Sequence, residues 1–443
     1  MKRVNEMRSR EELKKLAFDA IDRRHDEIIA FADSVYADPE LGFKEEKTAK
    51  KFNDLLCGLG YDTRTGVAVT GVISEKKGAK GNAKVAILGE LDAIIVPGHK
   101  DADPMTGAVH ACGHNAQLAS VAAVAYALAD TDIMNDLGGS IKLMGVPAEE
   151  YIELTYRYKL REEGKLWFLS GKEEFIRLGE FDDIDAAIMQ HIIPAQEGFK
   201  AGCTSNCNGF VAKLIKYTGK EAHAGAAPFD GINALNAAML GLMGVNANRE
   251  SFRDEDHIRI HPIITKGGDV VNVVPADVRL ETYVRGANVK GILGASEKMN
   301  NSLMAGAMAV GAKCDITELP GYLPVVQCDG LIDLMYDNLK ELVGDGAQKY
   351  CVGFGGGSTD FGDVSSIIPG LHSYFSGATG GLHQESYCFA DKDNAVINAG
   401  KALVATAIDL LYDDAAKAVE IKKNFKPEMT KEEYLRDWGK ITE

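Results

Sequence analysis

The sequence has few cysteines, no excess of basic residues and no long hydrophobic run. Its 443 residues include 8 cysteines, without a Cys-x-x-Cys pair, which is too few for a disulfide-stabilised scaffold. The formal net charge of −16 argues against nucleic acids and anionic membrane surfaces as partners, because both attract basic proteins. The longest mostly apolar run, residues 116–129, is shorter than the roughly 20 residues that cross a bilayer.

The first residues also lack the continuous apolar core of a secretory signal, so we expect a cytoplasmic location. What the chain does contain is 46% hydrophobic and 26% charged residues, as is usual for soluble globular proteins. At about 150 residues per domain, the length predicts two or three domains.

Helices and apolar strands alternate in the first half of the chain, which predicts an α/β fold. The pattern favours buried strands at residues 84–88, 140–146 and 185–190, and a buried helix at residues 116–128. This order indicates a mixed sheet with helices on both faces. Polar residues follow these strands, at the ends where α/β folds hold their sites: Glu90, Asp92, Glu149, Glu150 and His191.

After about residue 205 the pattern changes to β-α-β-β-α-β, which is the order of a ferredoxin-like domain. The predicted elements are strands at 209–217, 258–265, 278–284 and 312–319, and helices at 230–245 and 288–311. We therefore expect residues 205–321 to form an inserted domain, and residues 1–204 and 322–443 to form the other. Elsewhere we expect one helix over 10–36, a strand at 67–73 and an irregular excursion at 151–179.

The clearest chemical motif is His110-Ala-Cys-Gly-His-Asn115, in which Cys112 and His114 lie at a predicted loop-to-helix junction. A thiolate and an imidazole in such a turn can bind a metal such as zinc. A chance cluster beside a core helix is the alternative. A Cys112 nucleophile activated by His114 is disfavoured, because side chains this close on one tight turn align poorly as nucleophile and base.

Four further polar residues follow predicted strands or lie in a glycine-rich loop: Glu149, Glu150, His191 and His383. Taken singly, the two glutamates could be a solvated pair and the histidines could be structural. Together with Cys112 and His114 they make five metal ligands and one spare carboxylate. Five protein ligands exceed what one tetrahedral zinc with an open position needs, but they suit two metal ions that share a bridging group.

Seven ordered motifs resemble the M20 metallopeptidases, in their amidohydrolase and aminoacylase-like branch. Those motifs are Asp38–Phe43, Gly89–Ala93, His110–Asn115, Pro147–Glu150, Ala222–Gly225, Asn272–Pro275 and Gly357–Phe361. The chain is most similar to the aminobenzoyl-glutamate hydrolase and aminoacylase-like dipeptidase subgroup. The resemblance implies a zinc-peptidase-like catalytic domain with an inserted ferredoxin-like lid and dimerisation domain.

The resemblance also implies residue roles. The metal ligands would be Cys112, as the bridge, with His114, Glu150, His191 and His383. They would hold two divalent transition metal ions per subunit, zinc or manganese, with nickel and cobalt as further options. Glu149 would be the general base. His223 would reach the neighbouring subunit of a homodimer and polarise the scissile carbonyl, and Asn272 would contact the substrate carboxylate or the oxyanion.

Two other residues carry weaker predictions. Arg285 could bind a substrate carboxylate, or it could be a solvated strand arginine. Asp92 could orient a ligand imidazole, or it could be the N-cap of a helix. The chain also departs from the branch at Asn115, where an aspartate is usual, and in the 151–179 excursion, which could cover the cleft.

These observations predict a metal-dependent hydrolase that cleaves N-acyl amino acids or dipeptide-like substrates with a free carboxylate. One alternative is a binding or regulatory protein of the same fold that has lost its metal or most of its activity. Another alternative keeps the site but hydrolyses a different C–N bond, such as that of a carbamoyl group.

Overall fold

The computed structural model describes residues 8–204, 207–351 and 356–439. The helices are α1 (Arg10–Arg23), α2 (His25–Tyr36), α3 (Glu46–Gly58), α4 (His114–Asp130), α5 (Leu154–Glu162), α6 (Gly171–Leu178), α7 (Ala234–Ala247), α8 (Val289–Val310), α9 (Asp329–Val343), α10 (Phe361–Ile367), α11 (Ala399–Asn424) and α12 (Lys431–Glu433). The strands are β1 (Thr63–Val67), β2 (Gly71–Lys76), β3 (Lys84–Glu90), β4 (Ile94–Ile95), β5 (Ala108–Val109), β6 (Ser140–Val146), β7 (Ala186–Pro194), β8 (Ala201–Thr204), β9 (Gly209–Thr218), β10 (Arg259–Ile260), β11 (Ile263–Lys266), β12 (Asp277–Gly286), β13 (Lys313–Pro320), β14 (Ala347–Cys351), β15 (Gly370–Thr379) and β16 (Cys388–Phe389).

The described residues form two compact units. Unit 1 contains residues 8–204, 326–351 and 363–431, and unit 2 contains residues 207–325, 356–362 and 432–439. The role predicted for residues 205–321, a lid and dimerisation domain, stays a prediction.

Unit 1 is built on a mixed sheet in which β6, β3, β7 and β15 are consecutive parallel neighbours. The antiparallel pair β1–β2 extends one side, and β8 and β14 extend the other. The Ala-rich helix α4 is buried along most of its length and packs against β3, α2 and α11, because its small side chains permit close approach. The predicted α/β class, with a mixed sheet flanked by helices, is confirmed.

Unit 2 has the ferredoxin-like arrangement expected from the sequence. Its antiparallel sheet has the order β10-β12-β9-β13, and β11 also pairs with β12. Helices α7 and α8 pack together, and both contact β9 and β12. Alternation along β12 explains this layering, because Val278, Leu280, Thr282 and Val284 are buried while the residues between them are exposed or only partly buried.

Three local predictions were wrong. Residues 10–36 form two helices instead of one, since the backbone leaves the helical conformation at Arg24. Residues 67–73 contain the turn of the β1–β2 hairpin, with positive φ at Ala68 and Val69. The 151–179 excursion holds the helices α5 and α6, and its polar composition hid them because α5 buries an arginine, Arg157, beside Leu154 and Leu160.

Within the described residues, Asp393–Asn424 is the one helical stretch with the length and composition of a membrane span. Its most apolar window is 83% buried inside the protein, and the core helix of a soluble protein has the same features.

Candidate metal centre

The predicted ligands of unit 1 come together where the central parallel strands end and helix α4 begins. Glu150 follows β6, His191 lies in β7, and His383 lies in the loop after β15. Cys112 and His114 flank Gly113, whose φ of 86° is left-handed. A Cβ at Gly113 would lie 3.0 Å from Ile192 Cβ, so this turn requires glycine.

Cys112 is the centre of this cluster. Its Sγ lies 3.3 Å from His191 Nε2 and 3.2 Å from His383 Nε2. His383 Nε2 is in turn 3.0 Å from Glu150 Oε1. Cys112 therefore belongs to two groups whose ligand atoms all lie within 4.8 Å of one another, one with His114 and His191 and one with Glu150 and His383. All five predicted ligands converge.

Glu90 is a further donor at this site that sequence reasoning did not assign. Its Oε2 lies 3.0 Å from His114 Nε2, and Glu149 Oε2 lies 3.9 Å from the same nitrogen. Glu90, His114 and Glu149 form a third group with metal-binding spacing. The signal was a carboxylate directly after a buried strand. Its partner Lys172 comes from α6, 82 positions along the chain, which no local pattern indicates.

Neighbouring charges set the protonation states of the centre. Burial and Glu150 would each raise the pKa of the Cys112 thiol, but His191 and His114 outweigh them and lower it to about 6. Burial opposes ionisation of Glu150 also, yet His383 lowers its pKa to about 2. The thiol and the carboxyl group are thus poised to be anionic near neutral pH, as metal ligands must be.

The donors fit metal ions better than they fit one another. Within the described part of the chain, three buried donor atoms have no well-aligned hydrogen bond: Glu90 Oε2, His114 Nε2 and Glu150 Oε1. Histidine nitrogens lie 3.0 Å from each of the two carboxylate oxygens, but the geometry is not that of a hydrogen bond. Buried polar atoms are rarely left without a partner. A mixed set of sulfur, nitrogen and oxygen donors aimed at common points suits divalent transition metals.

Asp92 lies behind the centre. Its main-chain oxygen is 2.9 Å from His114 Nδ1, and its Oδ2 accepts a hydrogen bond from Glu150 N at 2.9 Å. The contact with Nδ1 directs Nε2 of the same ring towards Glu90 and Glu149. The chain continues from Asp92 into β4, so the alternative interpretation of Asp92 as a helix N-cap is wrong. Asn115 is buried and directs its amide nitrogen to Ala32 O at 3.4 Å.

Unit 2 brings two of its predicted site residues together. Ala224, next to His223, donates from its main-chain nitrogen to Asn272 O at 3.0 Å. The exposed His223 ring accepts hydrogen bonds at Nδ1 from the main-chain nitrogens of Gly225 and Ala226, at 3.2 and 3.0 Å. In neutral His223 the proton must therefore lie on Nε2, which can act as a donor.

The side chain of Arg285 is fixed by contacts within unit 2. It donates from Nη1 to Ser358 Oγ at 2.9 Å and from Nε to His261 Nε2 at 3.1 Å, and it lies over the rings of Phe210 and Tyr283. These contacts argue against a freely solvated arginine.

Asn272 precedes β12, and Arg285 lies near the other end of the same strand. From Asp277 to Arg285, β12 spans roughly 26 Å at about 3.3 Å per residue, whereas a dipeptide spans only about 7 Å. Within one chain, unit 2 therefore does not bring these two residues to the same small substrate.

Comparison with known proteins assigns a family to this arrangement. The model of "Peptidase family M20/M25/M40" matches residues 86–409. The mouse Xaa-Arg dipeptidase is 28% identical over 442 residues, which cover 96% of this chain and 94% of the relative. The N-acyl-L-amino acid amidohydrolase of Geobacillus stearothermophilus is 25% identical over 334 residues, covering 72% of this chain and 82% of the relative.

A solved structure shows the same fold. It is a dinuclear metal-binding peptidase of the M20 family from Bacillus subtilis, with a TM-score of 0.64 and 21% identity, covering 88% of this chain and 99% of that chain.

Proposed function

The chain belongs to peptidase family M20/M25/M40 and is a hydrolase, and from this premise we propose that it cleaves the amide bond of N-acyl amino acids or dipeptides with a free carboxylate. The observation that carries the proposal is the position of Cys112 between His191 and His383, with Glu149 nearby across His114. The two similar enzymes act on dipeptides and on N-acyl amino acids, which supports the substrate class.

Family membership and the buried donors support divalent metal ions as cofactors. Cys112, His114, Glu150, His191 and His383 would hold two of them, with Cys112 shared. Bound by these residues, such ions would lower the pKa of a water molecule and would polarise the scissile carbonyl. The exposed side chain of His383, 47% accessible, marks the side from which a substrate would enter.

Glu149 is the proposed general base. It is nearly buried, with 8% exposure, and its carboxylate lies on the His114 side of the cluster. It accepts a proton from the attacking water and returns that proton to the leaving amine. The water therefore does not attack as a cation, and the amine does not leave as an anion. Glu150 beside it would bind a metal ion, and the two adjacent glutamates would thereby have different tasks.

His223 is the proposed electrophilic residue, because its tautomer exposes an Nε2–H donor. A hydrogen bond from this donor to the carbonyl oxygen strengthens as negative charge develops in the transition state. Asn272 lies beside His223, and its side-chain amide can donate a second hydrogen bond to the same oxygen or to a carboxylate.

Arg285 is the proposed partner of the substrate carboxylate. His261 and Ser358 fix the direction of its guanidinium group, and a pre-oriented arginine binds a planar carboxylate with little further loss of entropy. The pKa of His261 is lowered, first by burial and then by Arg285 itself, so this ring stays neutral and accepts the hydrogen bond.

We also propose a homodimer in which His223 and Asn272 serve the partner's site. The separation of Asn272 from Arg285 along β12 supports this arrangement, since two chains can bring to one substrate what a single chain holds apart. Unit 2 exposes an apolar surface that could form the interface, comprising Met239, Leu240 and Met243 of α7, Met304 and Met308 of α8, and Ile263 and Ile264 of β11.

The central test replaces the base and keeps the ligands. Glu149→Gln should retain two metal ions per chain by elemental analysis but lose at least about 1,000-fold in kcat against a panel of dipeptides and acyl amino acids with added zinc or manganese. Glu153→Gln, at a surface ion pair with Lys44, is the matched control and should be nearly unchanged.

Near-normal turnover in Glu149→Gln would refute the base assignment. A wild-type protein with stoichiometric metal and no hydrolysis on this panel would instead favour a binding or regulatory role. Release of ammonia without amide cleavage would favour carbamoyl hydrolysis. Cys112→Ser should lose at least one metal ion, because it removes the shared ligand.

A further inference from the structure

The turn that carries Glu149 and Glu150 has an uncommon backbone conformation. Ala148, immediately before them, has a φ of 58°, which costs a residue with a Cβ roughly 1–2 kcal/mol. Such a turn persists only if its surroundings determine it. The hydrogen-bond partners of residues 148–150 therefore decide where both glutamate side chains point.

Buried side chains hold both ends of this turn. Glu45 Oε1 accepts from Ala148 N at 2.8 Å, and Asp92 Oδ2 accepts from Glu150 N at 2.9 Å. On the opposite side, Arg157 Nη1 donates to Ala148 O at 3.0 Å, and its Nη2 donates to Glu150 O. Three ionisable side chains, two of them from distant parts of the chain and one from the helix that follows, thus bind four main-chain groups of the turn.

Arg157 comes from α5, within the 151–179 excursion, and is 1% exposed. Its guanidinium also donates to Leu169 O at 2.7 Å and faces the rings of Phe43 and Tyr151. A guanidinium group is needed here, because two carbonyl oxygens of one turn accept hydrogen bonds from two nitrogens at a fixed spacing. The single nitrogen of a lysine ammonium group cannot reproduce this arrangement.

The surroundings are shaped to this side chain. A Cβ on Gly42 would come within 2.3 Å of Arg157 Nη2 and 2.9 Å of Ala148 Cα. The absence of a side chain at residue 42 leaves the space in which the guanidinium group reaches the turn.

We propose that Arg157 is a positioning residue for hydrolysis, and that helix α5 serves to place its guanidinium under the Ala148–Glu150 turn. This inference rests on the proposed roles of Glu149 as base and Glu150 as ligand. The guanidinium group of Arg157 contacts main-chain carbonyl groups and aromatic rings, so the proposed role is exerted through the turn. It fixes the backbone from which both carboxylates extend, and so it controls the alignment of the base and the geometry of one metal ligand together.

The test compares the variants Arg157→Met and Arg157→Lys with a matched control, Arg161→Met. The control removes one arginine from the same helix, and Arg161 lies over the ring of Trp167. In metal-saturated protein we expect Arg157→Met to lose about 100-fold in kcat, the effect of a displacement near 1 Å, with KM changed less than threefold. The kcat of Arg157→Lys should lie between those of Arg157→Met and the wild type, since lysine restores one donor. The kcat of Arg161→Met should equal that of the wild type.

Two further measurements separate positioning from folding. Guanidinium ions at millimolar concentration should restore part of kcat in Arg157→Ala, which a general loss of structure would not permit. Chelator competition should show at least tenfold weaker binding of one of the two metal ions in Arg157→Met, a readout that needs no turnover.

A kcat within threefold of the wild type in both Arg157→Met and Arg157→Lys, with metal affinity unchanged, would overturn the inference. The proposed function fails separately: if Glu149→Gln remains active while Arg157→Met still weakens metal binding, the base assignment is wrong and the positioning of Glu150 stands. If Arg157→Met does not fold, partial activity and guanidinium rescue in Arg157→Lys and Arg157→Ala support the inference, and absence of both overturns it.

Discussion

Buried charges next to the candidate centre are paired across long stretches of chain. Lys172 is fully buried and forms an ion pair with Glu90, which is 1% exposed. Taking such charges out of water costs several kcal/mol for each ion. Pairs of this kind seldom add stability to a core. Although burial opposes ionisation of Glu90, Lys172 and then His114 hold the pKa of its carboxyl group well below the usual value.

Removing one partner of this pair should be expensive. We expect Lys172→Met to lower the free energy of unfolding by about 3–5 kcal/mol in urea denaturation of chelator-treated protein, because Glu90 loses its ammonium partner. The double variant Lys172→Met/Glu90→Gln should recover much of this loss, since it removes the charge that needs compensation. A loss below about 1 kcal/mol in the single variant would mean that the pair is effectively solvated.

A buried histidine should make the protein sensitive to acid. Burial, followed by His191, lowers the pKa of His372 to about 3 from its usual 6.5. Between these values the unfolded chain binds a proton that the folded protein does not. Stability should therefore fall as pH drops below 6.5, by up to about 1.4 kcal/mol per pH unit from this residue.

The measurement is the pH dependence of urea unfolding in chelator-treated protein, where metal release does not contribute. The free energy of unfolding of His372→Gln should decline less steeply between pH 6.5 and pH 5 than that of the wild type. The control, His25→Gln, should keep nearly the wild-type slope in this window, because Asp26 and then Asp393 raise the pKa of the half-buried His25, so its contribution to stability is already present below pH 6.5 and is lost only at higher pH. Equal slopes in His372→Gln and wild type would contradict the assignment.

At the scale of elements, helix α4 and the turn before it organise the centre. Gln117 in the first turns of α4 accepts from Glu90 N at 2.6 Å and donates to Gln190 O at 2.8 Å, which ties the helix to the end of β3 and to the middle of β7. The loop carrying His383 is tied to the same turn, through a hydrogen bond from His383 N to Ala111 O at 3.0 Å. Helix, strands and loop thus place the ligands as one body.

The turn itself should tolerate no side chain at Gly113. Gly113→Ala should lower the free energy of unfolding by roughly 1–2 kcal/mol from the left-handed backbone alone, and a Cβ 3.0 Å from Ile192 should also displace Cys112 and His114. Elemental analysis should show fewer than two metal ions per chain. Gly58→Ala, at the end of α3 with open space around the added methyl, should be neutral or slightly stabilising. Full metal content in Gly113→Ala would contradict this view of the turn.

At the scale of the whole molecule, the homodimer proposal predicts complementation between inactive variants. Co-expressed His223→Ala and Glu149→Gln chains should regain about 25% of wild-type activity, because half of the dimers are mixed and one of their two sites is intact. Co-expressed Cys112→Ser and Glu149→Gln chains should remain inactive, since each site then carries a lesion of its own chain. Separation of the mixed species by affinity tags measures both results.

No recovery in the first pair, with mixed dimers present, would mean that His223 acts within its own chain. A monomer in light scattering at assay concentration would also exclude cross-subunit catalysis. Met243→Glu, on the exposed face of α7, should weaken the dimer and reduce kcat in parallel if the apolar surface of unit 2 is the interface.

Local sequence patterns predicted the fold class, the ferredoxin-like order of unit 2 and the five ligand candidates. Alternation and apolar runs are local properties that predict strands and helices, and parallel strands bring their carboxyl ends to one edge. Glu150 follows its strand as predicted, whereas His191 lies within β7, which continues to Pro194. The predicted end of that strand was therefore wrong, although His191 lies at the predicted site.

The partner of each buried or fixed charged side chain, in contrast, became known only from the three-dimensional fold. Glu90 with Lys172, the Ala148–Glu150 turn with Arg157 and Arg285 with His261 are pairs between segments whose spacing carries no periodic signal. Helix α5 was missed for the same reason, since its buried face includes an arginine that binds carbonyl groups. Burial of a charge depends on what the rest of the chain places opposite it, and that information is not local.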